Sequence, residues 1–156
     1  AGEIQIVATD HCPFNYAKEK QDGKDDFRKC PNGAPGVEER MILLFSEGVM
    51  KNKISINKLV EVACTNPAKV YGMYPKKGII EPGADGDLII IDADAKQTLT
   101  HEMMHGAVDY TSYEGTPLNG KIDLVMQRAN IIAENNEFKG NRGDGQYIYR
   151  KPYFDI

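Results

Sequence analysis

The chain has 156 residues, a formal net charge of -4 and 41% hydrophobic residues, which is enough for one domain with a real core. The acidic balance disfavours nucleic acid as a partner, because nucleic-acid-binding surfaces are normally basic. No apolar stretch approaches the length of a membrane span. The three cysteines, Cys12, Cys30 and Cys64, cannot all pair, and together with the lack of an Asn-x-Ser/Thr sequon they predict a reducing, cytoplasmic location.

The first predicted element is a buried strand over residues 4–9, which are apolar and rich in β-branched side chains. The strand leads to an Asp-His-Cys-Pro sequence that begins at Asp10, and the loop that follows stays irregular until about Pro35. Long loops at the carboxyl ends of buried strands are where α/β barrels place their chemistry. Asp10 is therefore a candidate metal ligand or general base, with a simple turn opener as the alternative.

Within this loop, the charge run at residues 18–26 predicts a solvated surface, and Pro-Asn-Gly at residues 31–33 predicts a tight turn. A single strand at residues 4–9 would expose unpaired backbone groups and invite pairing between chains. We therefore expect residues 1–34 to be poorly ordered or rearranged, for example into an intermolecular contact. The helices and the β-domain that follow should be the ordered part.

Three helices are predicted next. The first has apolar residues at helical spacing over residues 37–49, and Glu38 and Glu39 fall in its first turn, where the helix dipole favours negative charge. Ser55 is placed to cap the second helix. Pro67 is placed at the first position of a short third helix.

The pattern changes from helical to β near residue 75. Short apolar runs divided by turn residues predict strands at residues 77–80, 88–91, 123–128, 131–134 and 137–138. A hairpin is expected around Ala129 and Asn130. The chain thus divides into a helical part at residues 1–74, a small β-domain at residues 75–142 and an aromatic arm at residues 143–156.

His101 to His105 read His-Glu-Met-Met-His and match the HExxH pattern, in which two histidines one helical turn apart bind zinc beside a glutamate base. The chemistry requires one helix through both histidines. Gly106 follows at once, and no amphipathic helix flanks the motif. A zinc protease remains an alternative that depends on His101 and His105 lying on one helix.

The order of these segments resembles the carboxyl-terminal part of the hydantoinase/dihydropyrimidinase family of metal-dependent amidohydrolases. The resemblance runs from about residue 3 to residue 149. It is carried by Asp-His-Cys-Pro at residues 10–13, Pro-Asn-Gly at 31–33, Gly-Val-Glu-Glu-Arg-Met at 36–41, Asn-Pro-Ala-Lys-Val-Tyr-Gly at 66–72 and the glycine-rich return at 76–89.

The resemblance implies an α/β fragment: the last strand, loop and helices of a (β/α)8 metal-dependent hydrolase barrel, followed by a small β-sandwich-type domain with an open sheet edge. In this family two divalent metals, usually zinc, activate a hydroxide that opens hydantoins or dihydropyrimidines to N-carbamoyl acids. Asp10 matches the aspartate that binds one metal and carries the proton to the leaving nitrogen. Asn32 matches the loop residue that hydrogen-bonds the substrate ring through its backbone.

The family's other metal ligands, an HxH pair, a carboxylated lysine and two further histidines, have no counterpart in this sequence. One carboxylate cannot hold a binuclear site, so we expect the chain alone to bind no metal and to be inactive. The parent enzyme is expected to be a cytoplasmic homotetramer that acts on a small cyclic amide or imide. Non-catalytic assembly proteins of the same fold are the alternative, but they lack the residues that match Asp10 and Asn32.

Overall fold

The computed structural model describes residues 2–152, with two helical segments followed by one antiparallel sheet. Helix α1 (Arg40–Leu43) continues directly into a π-helical turn (Leu44–Val49). Helix α2 (Ile56–Val60) continues through a second π turn (Glu61–Thr65) into helix α3 (Asn66–Val70). Short 3₁₀ helices span Glu19–Gly23, Phe27–Lys29 and His101–Met103.

The local signals for the helices are largely confirmed. The Ser55 side chain accepts the Lys58 N–H at 3.1 Å and so caps α2, as predicted. Pro67 lies in the first turn of α3, where its missing N–H costs least. The first helix begins at Arg40, so the expected placement of Glu38 and Glu39 within its first turn is wrong.

The four strands form an antiparallel sheet in the order β1-β2-β3-β4. Their bounds are β1 (Leu88–Thr98), β2 (Pro117–Gln127), β3 (Asn130–Glu134) and β4 (Glu137–Phe138). The β2–β3 hairpin turns at Arg128 and Ala129, both with positive φ, which is the geometry that suits a two-residue hairpin. The predicted hairpin is confirmed with its turn one residue earlier. Within residues 2–152, β1 pairs with β2 alone and so lies at an open edge of the sheet.

Two predicted strands are wrong. Residues 4–9 join no sheet; instead the Val7 N–H donates to the Val62 carbonyl at 3.1 Å, so this run lies against the second helical segment. This run has no neighbouring strand among residues 2–152, and a strand cannot form without one. Residues 77–80 form turns that Gly78 allows with φ +82, and the Gly78 carbonyl accepts the Thr65 hydroxyl at 2.7 Å.

The apolar core lies between the first helical segment and the sheet, with a contribution from α2. Its buried residues are Ile42, Phe45, Leu59, Leu99 and Leu118. Gly120 of β2 lets the Phe45 ring approach, because a Cβ there would lie 2.7 Å from the ring's Cε1. The fully buried Ser46 accepts the Asn119 N–H at 2.9 Å, which fixes the helical segment on β2.

The first and last described segments of the chain contact the helical part. The expectation of poor order is wrong for residues 2–34, which have defined contacts with later segments. The predicted arm is described as far as Pro152, and its Lys151 N–H donates to the Gly72 carbonyl at 2.9 Å. Residues 153–156 of that arm lie outside the described residues. Between residues 2 and 152, no helix has the length and apolar character needed to cross a membrane.

Candidate functional site

Asp10 opens the site loop, the name used here for residues 10–37. Its backbone has φ +50, a left-handed conformation that is uncommon outside glycine and tolerated by aspartate. The residue is exposed, and its carboxylate has no hydrogen-bond or ion-pair partner among residues 2–152. A carboxylate that the fold displays without a partner is available to a ligand.

The two residues after Asp10 are fastened to the far end of the site loop. His11 Nδ1 accepts the backbone N–H groups of Gly36 at 3.2 Å and Val37 at 3.3 Å. Because both partners are donors, Nδ1 is the acceptor nitrogen of the ring in these contacts. The Cys12 N–H donates to the Ala34 carbonyl at 3.2 Å.

The Pro-Asn-Gly turn lies against the same segment. A Cβ on Gly33 would lie 2.0 Å from the Cys12 carbonyl oxygen, so only glycine permits this approach. The Lys20 ammonium donates to the Pro31 carbonyl and, at 2.5 Å, to the Gly33 carbonyl. Asn32 between them is exposed and has no partner among residues 2–152. Asp10 and Asn32 thus lie in segments of one loop that contact each other. The residues next to them are hydrogen-bonded, whereas Asp10 and Asn32 have no partner among residues 2–152.

A clasp segment, residues 101–113, connects the β-part of the chain to the site loop. The Asp109 carboxylate accepts the N–H groups of Tyr16 at 2.6 Å and Ala17 at 2.9 Å. These backbone hydrogen bonds, that from Ala17 first, hold the pKa of Asp109 below its usual range. The Tyr16 and Tyr110 rings pack with centroids 5.8 Å apart.

The clasp segment also binds the two glutamates that precede α1. Glu38 accepts His105 Nδ1–H at 2.6 Å and the His105 backbone N–H at 2.9 Å. The hydrogen bond to Glu38 raises the pKa of His105. The buried Glu39 accepts the Thr111 hydroxyl at 2.7 Å. These carboxylates therefore serve tertiary contacts.

The zinc-protease interpretation is wrong. The 3₁₀ helix His101–Met103 ends before His105, so no helix carries both histidines. His101 Nε2 lies 2.6 Å from the Val108 carbonyl, and His105 is turned to Glu38. Within residues 2–152, no group of three histidine, cysteine or acidic side chains is arranged to hold a metal ion. Asp10 can offer one ligand, and the described residues do not form a metal centre by themselves.

Sequence reasoning missed two residues that shape the site, Lys20 and Asp109. The charge run at residues 18–26 was expected to be solvated, and Lys18 fits with a side chain 81% exposed. Lys20 does not fit, because its ammonium is bonded to two loop carbonyls. A lysine within a charge run has no local signal that distinguishes these two situations.

Comparison with known proteins identifies the family to which the chain is similar. The amidohydrolase family model matches residues 1–140. D-phenylhydantoinase of Escherichia coli O1:K1 is 45% identical over 152 residues, which are 97% of this chain and 33% of that enzyme.

Solved structures of hydantoinases are also similar to this chain. D-hydantoinase from a Bacillus sp. AR9 has a TM-score of 0.92 at 42% identity, over 97% of this chain and 33% of that chain. L-hydantoinase (dihydropyrimidinase) from Arthrobacter aurescens has a TM-score of 0.86 at 34% identity, over 94% of this chain and 32% of that chain. The intermolecular contact expected for residues 1–34 stays a prediction. The chain spans about a third of the length of these relatives, and it belongs to the amidohydrolase family.

Proposed function

We propose that this chain forms the carboxyl-terminal third of a cyclic-amide hydrolase of the hydantoinase/dihydropyrimidinase type. The complete enzyme opens hydantoin or dihydropyrimidine rings to N-carbamoyl amino acids. One observation carries the proposal: the chain is 45% identical to D-phenylhydantoinase over 152 residues. The exposure of Asp10 and Asn32, which have no partner among residues 2–152, is compatible with roles toward a ligand.

Asp10 has two roles in this proposal. Its carboxylate would hold one of two divalent metal ions, zinc, whose other ligands, a carboxylated lysine among them, would come from the rest of the enzyme. The metals would lower the pKa of the attacking water. Asp10 would accept the proton that this water loses and deliver it to the ring nitrogen that leaves, which is general acid–base catalysis. Asn32 hydrogen-bonds the ring amide through its main chain.

We also propose where the segments of this chain lie in the complete enzyme. Residues 1–74 belong to a (β/α)8 barrel, and residues 75–142 belong to a β-sandwich-type domain whose remaining strands come from another part of the enzyme. The exposed Ile89 and Ile90 at the open edge of β1 support such a neighbour. The complete enzyme is a cytoplasmic homotetramer that acts on small molecules and has no nucleic-acid or membrane partner.

A chimeric enzyme tests the proposal. Residues 2–152 of this chain replace the matching third of the Escherichia coli D-phenylhydantoinase, and ring opening of phenylhydantoin and dihydrouracil is measured. We expect a folded chimera that binds metal and turns over, whereas the 156-residue chain alone binds no stoichiometric metal and is inactive. Asp10→Asn should lower kcat by about 10²–10⁴-fold, the usual contribution of a general acid–base group.

Asp25→Asn is the matched control, because Asp25 is an exposed aspartate of the same loop with no partner among residues 2–152. Its turnover should equal that of the unmodified chimera. Full turnover in Asp10→Asn would overturn the role of Asp10. A folded chimera that binds metal but never turns over would instead favour the non-catalytic assembly protein of the same fold.

A further inference from the structure

Lys20 holds a position that its sequence context does not suggest. It lies in the 3₁₀ helix Glu19–Gly23 and is half-buried. Its ammonium donates to the carbonyl oxygens of Pro31 and Gly33, and it lies 5.7 Å from the centre of the Phe14 ring. Two of the three ammonium donors are therefore used on carbonyls, and the charge is partly covered by an aromatic face.

The two carbonyls that Lys20 binds lie on either side of Asn32. The carbonyls of an irregular loop can turn toward solvent unless a donor binds them. Here the Lys20 ammonium binds the carbonyls of both residues that flank Asn32. Bonds from an ammonium are stronger than neutral hydrogen bonds. The main chain of Asn32 is held on both sides, while Asn32 itself has no partner among residues 2–152.

The same lysine is connected to the segment that follows Asp10. Its backbone N–H donates to the Asn15 carbonyl at 3.1 Å, and Glu19 accepts the Asn15 N–H at 2.9 Å. The Phe14 ring under the ammonium comes four residues after Asp10. Lys20 thus spans the gap between the chain that carries Asp10 and the turn that carries Asn32.

We propose that Lys20 is a positioning residue that fixes the main chain of Asn32 for the ring amide of the substrate. The inference rests on the proposed function, since it assigns Lys20 to the substrate-binding half of that site. Lys20 acts through the peptide groups of residues 31–33 and does not touch the reacting atoms. Its loss should therefore weaken substrate binding more than it slows the chemical step.

The kinetic test uses Lys20→Met in the chimeric enzyme, which keeps an unbranched apolar side chain and removes the ammonium. We expect KM for phenylhydantoin to rise about tenfold, equal to about 1.4 kcal/mol, with kcat changed by less than about threefold. Lys24→Met is the matched control, because Lys24 is exposed and its side chain has no partner among residues 2–152. A KM in Lys20→Met equal to that in Lys24→Met, or a loss confined to kcat, would overturn the proposal.

A second measurement on the 156-residue chain separates this inference from the proposed function. Hydrogen exchange should be faster at the Cys12 N–H, which donates to Ala34 next to the turn, in Lys20→Met than in Lys24→Met. Core amides should exchange alike in both variants. A chimera without turnover, combined with faster exchange, would reject the hydrolase and retain Lys20 as the residue that holds the turn. Unchanged exchange would reject the role of Lys20 whatever the chimera does.

Discussion

The apolar core and the site loop are stabilised by different interactions. The core is built from side chains that are almost wholly removed from water, with Leu59 2% and Leu99 0% exposed. Among the described residues, Gly36 is the one buried residue of the site loop. The loop is fixed by a few hydrogen bonds, two each from Lys20, His11 and the clasp-segment residue Asp109. Core stability is therefore spread over many contacts, whereas the loop depends on a few hydrogen bonds.

Because the core and the site loop are stabilised differently, the loop can be disturbed while the core stays folded. A loop without a core of its own can open locally while the helices and the sheet remain folded, because local opening costs less free energy than global unfolding. The unpartnered Asp10 and Asn32 are therefore held by contacts that can be removed singly. Substitutions in the core and in the loop should differ in the size and in the kind of their effects.

The largest effect on stability is expected in the core. Leu99→Ala should lower the free energy of unfolding by about 2–5 kcal/mol, since it removes buried methyl groups and leaves a cavity. Urea unfolding measures this difference. Ile80→Ala is the control, because Ile80 is 84% exposed and its truncation should change the free energy by less than about 0.5 kcal/mol. Equal losses in the two variants would contradict the core described here.

A smaller but local effect is expected at Gly33. Gly33→Ala places a Cβ 2.0 Å from the Cys12 carbonyl oxygen, so the turn must move away from the segment that carries Asp10. Such overpacking costs about 1–3 kcal/mol where the surroundings cannot yield, and less where a loop can open. Hydrogen exchange should show lost protection at Cys12 with unchanged protection in β2.

The control for this substitution is Gly106→Ala. A Cβ on Gly106 would meet no atom within 4 Å, and the residue is exposed in the clasp segment. Its exchange pattern should match that of the unmodified chain. If Gly33→Ala also leaves Cys12 protected, the close approach of the turn to the Asp10 segment is not a constraint on the loop.

The difference between local and long-range contacts also explains which elements could be predicted from the sequence. The Ser55 cap and the β2–β3 hairpin were predictable because their signals lie within a few residues of one another. The strand at residues 4–9 was wrong, because an apolar run becomes a strand only where a neighbour offers hydrogen bonds, and such neighbours are distant in sequence. Caps and turns can be predicted from neighbouring residues, whereas strand pairing between distant segments cannot.

The candidate site divides in the same way. Asp10 and Asn32 were predicted as site residues because each lies in a short recognisable motif. Lys20 binds carbonyls 11 and 13 residues away, and Asp109 binds N–H groups 92 and 93 residues away. Candidate site residues can therefore be predicted from a local motif, whereas the residues that hold the loop around them are visible only in the fold.

The pH dependence of stability in Asp109→Asn tests how the clasp segment stabilises the site loop. The pKa of Asp109 is lowered by the Ala17 and Tyr16 N–H groups, so its ionised form stabilises the fold. This contribution is present above the unfolded carboxyl pKa of about 3.9 and is lost as the pH falls through the lower folded-state pKa. The stability difference between the parent chain and Asp109→Asn, measured from pH 7 down to acid, should shrink in that window.

Amide exchange at Tyr16 and Ala17 gives the local readout for the same variant. Both N–H groups should exchange faster in Asp109→Asn, because the amide side chain has one acceptor oxygen where the carboxylate has two. Asp25→Asn should leave both rates unchanged. Identical rates in the two variants would mean that the clasp segment does not hold the site loop.

The smallest effect is expected at the His105–Glu38 pair, because the His105 side chain is 47% exposed and water screens the interaction. The hydrogen bond to Glu38 raises the pKa of His105, so the pair stabilises the fold below the unfolded histidine pKa of about 6.5. That stabilisation is lost as the pH rises through the higher folded-state pKa. An NMR titration of His105 should show its midpoint above that of the unfolded chain, and Glu38→Gln should bring the midpoint down. Equal midpoints in both chains would mean that the His105 imidazole does not help to attach the clasp segment to the start of α1, and the attachment would then depend on the buried Glu39–Thr111 hydrogen bond and on the His105 backbone N–H.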